Sequence, residues 1–152
     1  MQYTMNKDKT FGFIWNVDSR SDCFIYGTAQ IVIGEAIYPK SLPTEDYYTL
    51  TTVFGNLKGS FEERYYPSGS TNKDFGERKF ELKEYVNLQL TNIFEIETSY
   101  MGSGTSRSTE LDSLVMCMGY SGDTERLFYS FDYGKSFNEI RYPKGTVESV
   151  IK

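Results

Sequence analysis

The residue spacing nearest to a chemical signature is Ser130-Phe131-Asp132-Tyr133-Gly134-Lys135-Ser136-Phe137, which fits Ser-x-Asp-x-Gly-x-Ser-aromatic. A carboxylate held among hydroxyls and rings is the material of carbohydrate recognition, and a second carboxylate about 5–10 Å away would allow acid–base cleavage of a glycosidic bond. Little other chemistry is open to this chain. It has no histidine, which removes the commonest general base, the commonest metal ligand and every Ser-His or Cys-His nucleophile pair. Cys23 and Cys117 form no Cys-x-x-Cys pair, so neither a zinc site nor any other metal or cofactor is expected. Both cysteines sit in apolar, strand-like surroundings, where buried free thiols are expected.

The element that must position Asp132 is a hairpin. Leu127, Tyr129 and Phe131 alternate into the turn, and the apolar pattern resumes at Phe137 and Ile140. Within it Asp132 satisfies turn N–H groups and Gly134 supplies a positive φ, so both are read as structural turn residues. The pattern is similar to the Asp box on propeller blades of sialidases and related carbohydrate-active proteins. A propeller repeats its unit about four to eight times, and one copy is found in this chain.

Upstream, Phe11, Phe13, Trp15 and Val17 alternate with more polar neighbours, and after Ser19–Asp22 an apolar run continues to Ile33. This reads as an antiparallel hairpin whose second strand is central, because apolar residues occupy both of its faces. Thr44 as N-cap, Glu45 and Asp46 in a first turn, and Tyr47, Leu50, Phe54 and Leu57 at helical spacing predict a helix ending at Gly59. Tyr65–Asn72 and Gly102–Ser106 read as loops. Residues 74–90 fit a helix or a strand, with a helix followed by a strand near Ile93–Glu97 preferred. Leu114, Met116 and Met118 make a further strand before a Ser121–Asp123 turn. The expectation is an α+β fold in one domain, 1–152, with an antiparallel sheet and one or two packed helices.

The end of the chain, RLFYSFDYGKSF followed by Tyr142-Pro143 and Lys144-Gly145-Thr146-Val147, resembles the C-terminus of bacterial immunity proteins of polymorphic toxin systems. Specifically, it resembles the family called immunity protein forty-two. Gly12-Phe13-Ile14-Trp15, Ile31-Val32-Ile33-Gly34-Glu35 and Tyr38-Pro39 agree in outline with that family's aromatic strand, Ile-x-Gly turn and Tyr-Pro step. The resemblance leaves roughly Phe61–Glu110 unmatched. It implies a protein that binds and neutralises a cognate toxin and carries no catalytic residue.

Charge supports a protein partner. With 21 carboxylates against 16 bases the chain is poorly suited to nucleic acid, and an acidic surface favours a basic partner such as a nuclease domain. Residues 61–100 hold eight acids and five bases, three of the net five negative charges. Glu62, Glu63, Tyr65, Tyr66, Asp74, Glu77 and Glu81 combine carboxylates able to pair with Arg or Lys and rings able to fill a pocket, and they form the candidate partner-binding set. Two alternatives remain: a carbohydrate-binding or carbohydrate-active domain built on the Asp132 turn, and a subunit of an unrelated assembly. Met1–Lys7 is not followed by the apolar run of a secretory leader. No window approaches the ~20 apolar residues of a membrane span. A cytoplasmic location without membrane contact is therefore expected.

Overall fold

The computed structural model describes residues 2–21, 24–38, 48–60, 75–77, 79–81, 93–96 and 113–151. Among the described residues the chain runs β1 (Gln2–Met5), β2 (Phe11–Arg20), β3 (Ile25–Ile33), β4 (Ala36–Tyr38), β5 (Tyr48–Thr49) and α1 (Leu50–Gly59). It continues with β6 (Ile93–Ile96), β7 (Val115–Ser121), β8 (Thr124–Ser130), β9 (Asn138–Pro143) and α2 (Thr146–Ile151). The strands make two antiparallel sheets, β1-β2-β3-β4 with β5 also on β3, and β6-β7-β8-β9. The α+β expectation is met with two sheets rather than one.

The first hairpin forms as its alternation requires. Phe11 pairs with Ile33, Phe13 with Ile31 and Trp15 with Ala29, and the register shifts between Val17 and Ser19. β3 is central, flanked by β2 on one edge and by β4 and β5 on the other. Ala29, Ile31, Val32 and Ile33 are buried, whereas Phe24 is exposed, so the cover on the second face stops short of the strand's start. The helix begins later than its pattern suggests. Tyr48 and Thr49 pair with Gly27 and Tyr26 as β5, and α1 starts at Leu50. An aromatic and a β-branched residue suit a pleated strand better than a first helical turn, and the available β3 edge decides between them. The proposed cap, Thr44 to Tyr47, lies outside the described residues, as do both expected loops and most of residues 74–90. The strand expected near Ile93 is present.

One core joins the two sheets and both helices. Phe11, Phe13, Ala29, Ile31 and Ile33 come from the first sheet, Ile96, Met116, Met118, Tyr120, Leu127 and Tyr142 from the second. Leu50, Val53 and Leu57 of α1 and Val147, Val150 and Ile151 of α2 fill the space between. Edge-on ring contacts run Trp15 to Phe54 at 5.2 Å, Phe54 to Phe13 at 6.0 Å, Phe13 to Phe11 at 5.7 Å and Phe11 to Tyr142 at 5.8 Å. Each buried ring contributes about 1.5–3 kcal/mol through removed apolar surface. Tyr142 also donates its hydroxyl to the Thr10 carbonyl at 2.6 Å, a direct bond between the sheets.

A close backbone approach fixes one glycine. A Cβ on Gly27 would lie 1.9 Å from the Asn16 carbonyl oxygen, so β2 could not keep its place, whereas the 3.0 Å approach to Leu50 Cδ1 could be relieved by that side chain. Gly55, inside α1, has open space around it. Urea unfolding is expected to show Gly27→Ala destabilised by about 2–4 kcal/mol, with Gly55→Ala stabilised by about 0.5–1 kcal/mol through helix propensity.

Candidate functional site

β8 has apolar cover on both faces, because Leu127 and Phe128 are both buried. Alternation therefore sends Glu125 to one side of the sheet and Arg126 to the other. Both are buried and must find partners within the fold.

Glu125 finds the start of α2. Its carboxylate accepts the Gly145 N–H through Oε1 and the Val147 N–H at 2.9 Å through Oε2, satisfying donors that a helix leaves unpaired at its start. Burial pushes the Glu125 carboxyl up to about 7, against the lowering effect of these N–H groups.

Arg126 lies over the rings of Phe75 and Phe128, at 5.1 and 5.0 Å from their centroids. It donates to the Gly76 carbonyl at 2.5 Å, and to both Glu139 oxygens, from Nη2 to Oε1 at 2.8 Å and from Nε to Oε2 at 3.1 Å. The ladder register places Arg141 directly opposite Arg126, a repulsive pairing that Glu139 relieves by also accepting from Arg141 Nε at 2.6 Å. Arg141 in turn forks onto Glu77 at 2.9 and 2.6 Å, and Ser121 Oγ donates to Glu77 at 2.6 Å. The charges thus alternate Glu77, Arg141, Glu139, Arg126. Bonds from Arg141 and then Ser121 hold the Glu77 carboxyl down at about 2, and bonds from Arg126 lower that of Glu139. The Phe75 and Gly76 N–H groups bond the Tyr120 carbonyl at 2.7 and 3.1 Å, so residues 75–77 are strapped across the outer face of the second sheet.

The β8–β9 turn closes on itself. Asp132 Oδ1 accepts from Ser130 Oγ at 2.5 Å and from the Ser136 N–H at 2.9 Å, and Oδ2 accepts from Ser136 Oγ at 2.5 Å. Ser130 Oγ accepts the Asp132 and Gly134 N–H groups at 3.2 and 3.0 Å. These bonds, Ser130's first, bring the Asp132 carboxyl down to about 2, and Gly134 takes φ 87°.

Of the proposed partner-binding set, Glu62, Glu63, Tyr65, Tyr66 and Asp74 lie outside the described residues. Glu77 is two-thirds exposed yet ion-paired, and Glu81 is exposed one residue after Phe80, whose ring meets Phe128 and Phe137 at 4.4 and 4.6 Å. The sequence reading passed over Glu125, Arg126, Glu139 and Arg141. The available signal was two charges side by side in an otherwise apolar strand, which can only be sustained by partners on opposite faces. Two adjoining apolar grooves, of about 330 and 350 Å³, share Trp15, Phe54 and Lys58, and among the described residues no carboxylate lines them. Cys117 is a buried free thiol whose ionisation is suppressed by burial. Cys23 lies outside the described residues. No described helix is long and apolar enough to cross a membrane.

The family profile described as Immunity protein 42 matches residues 7–152, nearly the entire chain. The chain belongs to this family. The match takes in the middle segment as well as both ends, so the Immunity protein 42 pattern extends through the acidic stretch where the sequence reading found no likeness. No curated protein matches the chain, and no solved structure does.

Glu77, Glu125, Asp132 and Glu139 divide into two classes with opposite responses to pH. Between its ordinary value of 4.5 and about 7, folded Glu125 holds a proton that the unfolded chain has lost. Its contribution is complete below about pH 4.5 and disappears as pH rises through 7. Asp132, Glu77 and Glu139 are depressed, so their contributions are complete above their ordinary values and are lost as pH falls through their lower folded ones. Urea titrations from pH 3 to 8 are expected to place maximal stability near about pH 5, and Glu125→Gln should flatten the decline above it while leaving the acid limb in place.

Proposed function

We propose that this protein binds a cognate bacterial toxin in the cytoplasm and neutralises it by covering its active site or another essential surface, without chemistry of its own. The observation that carries this reading is membership of the immunity family across residues 7–152. The site geometry supports it. Glu125 caps a helix, Asp132 closes a turn, and Glu139 is committed to two arginines, so these three carboxylates serve the fold. The carbohydrate reading gains nothing from the turn, since both Asp132 oxygens are occupied by its own serines, and among the described residues no pair of carboxylates lines the two apolar grooves.

The toxin class that suits the chain is a basic nuclease domain of a polymorphic or contact-dependent system, its cationic substrate channel drawn to a protein of net charge −5. We place the docking surface on the acidic middle, Glu62, Glu63, Tyr65, Tyr66 and Asp74, continuing to Glu77 and Glu81. There the ladder holds the Glu77 carboxylate rigidly at the surface.

Using the chain as bait in lysate of its own source, followed by co-expression with whatever it retains, tests the function. A retained toxin domain whose lethality the chain abolishes is the expected result, and a harmless partner would remove the reading. With that toxin in hand, Glu62→Lys combined with Glu63→Lys should slow association about tenfold at low salt and flatten its salt dependence. Unchanged association rates would move the docking surface elsewhere and leave the function standing.

A further inference from the structure

Two non-glycine residues have positive φ among the described residues, Lys9 at 58° and Tyr133 at 60°. A left-handed backbone brings Cβ against the following carbonyl oxygen, and for a bulky side chain it is a genuine outlier. Glycine or asparagine fills such a turn position with little strain. Lys9 places a flexible polar stem there. Tyr133 places an aromatic ring, and the ring does not enter the core: it is 68% exposed, more than Tyr3, Phe24 or Ile37. Folding therefore gains little from tyrosine at this position.

The surrounding bonds nevertheless hold its backbone firmly. The Tyr133 N–H bonds the Ser113 carbonyl at 3.3 Å, and Ser113 Oγ donates to the Phe131 carbonyl at 2.6 Å. On the other side the Ser130, Asp132 and Ser136 network fixes the next three residues. A ring with two rotatable bonds on a rigid turn loses little entropy when it is captured.

The geometry points to Tyr133 as a preorganised anchor that inserts its ring into an apolar pocket on the toxin. This rests on the toxin-binding reading above and adds to it a second contact region, the β8–β9 turn, apart from the acidic segment. The two are linked through the fold, since Phe137, four residues after Tyr133, packs on Phe80, the neighbour of Glu81. A single ring projecting from a turn suits a protein pocket. A sugar would instead be held in a concavity lined by rings and polar groups.

The test pairs two readouts on the full chain, using as probe the toxin domain that the natural chain captures and protects against. Tyr133→Asn is expected to melt about 2–4 °C higher, because the strain is relieved, and to hold the toxin at least about tenfold more weakly. Tyr133→Phe keeps the ring and should stay within about threefold of the natural affinity. Natural affinity in both Tyr133→Asn and Tyr133→Gly would overturn the anchor while leaving immunity intact. A Tyr133→Asn chain that melts lower as well as binding more weakly would make the residue structural and also overturn it. A natural chain that neither captures nor protects would remove the functional reading itself, and with it the anchor's partner.

Discussion

Covering β8 on both faces while placing two adjacent charges on it is the constraint around which the second half of the molecule is arranged. A charge with apolar cover on each side of its sheet must be met locally or it unfolds its surroundings. Because side chains alternate along a strand, Glu125 and Arg126 demand partners on opposite sides. The demand on one side draws the start of α2 against the core. The demand on the other draws residues 75–77 and the Glu139 carboxylate onto the outer face. Two peripheral pieces, distant in sequence, are thereby registered on one strand to within a residue.

Apolar packing accounts for the remainder. The aromatic series from Trp15 through Phe54, Phe13 and Phe11 to Tyr142 crosses from the first sheet to the second, so the two sheets share their main interior, and a smaller cluster of Phe75, Cys117 and Phe128 belongs to the second sheet alone. The helices add branched aliphatic residues at the ends of this series. With the core assembled from residues of low chemical reactivity and the carboxylates at Glu77, Glu125, Asp132 and Glu139 tied into turns, caps and ion pairs, what the molecule offers to a partner is shape, rings and surface charge.

Much of this was legible in the sequence, for identifiable reasons. Period-two alternation located β2, β7 and β8, and an apolar run with both faces covered located β3. The bonds of the turn around Asp132 are local, confined to the seven residues from Ser130 to Ser136. The start of α1 was not legible, since Tyr48 and Thr49 have a weak preference that the nearby β3 edge overrode. β1 was missed: Gln2–Met5 has almost no pattern and exists through its pairing with β2. The ion ladder was illegible for a different reason. Glu77 and Arg141 are 64 residues apart, and nothing in either local context announces the other. The acidic character of the middle could be counted, but counting could not show that Glu77 is held by Arg141.

Arg126 also couples the strap to the sheet in time as well as in space. Lifting residues 75–77 would leave a guanidinium over Phe128 without one of its two rings and without the Gly76 carbonyl, so a small local opening carries the penalty of a much larger one. The Phe75 and Gly76 amides, bonded to the Tyr120 carbonyl, are therefore expected to exchange with solvent more slowly than the irregular backbone of this short segment would suggest.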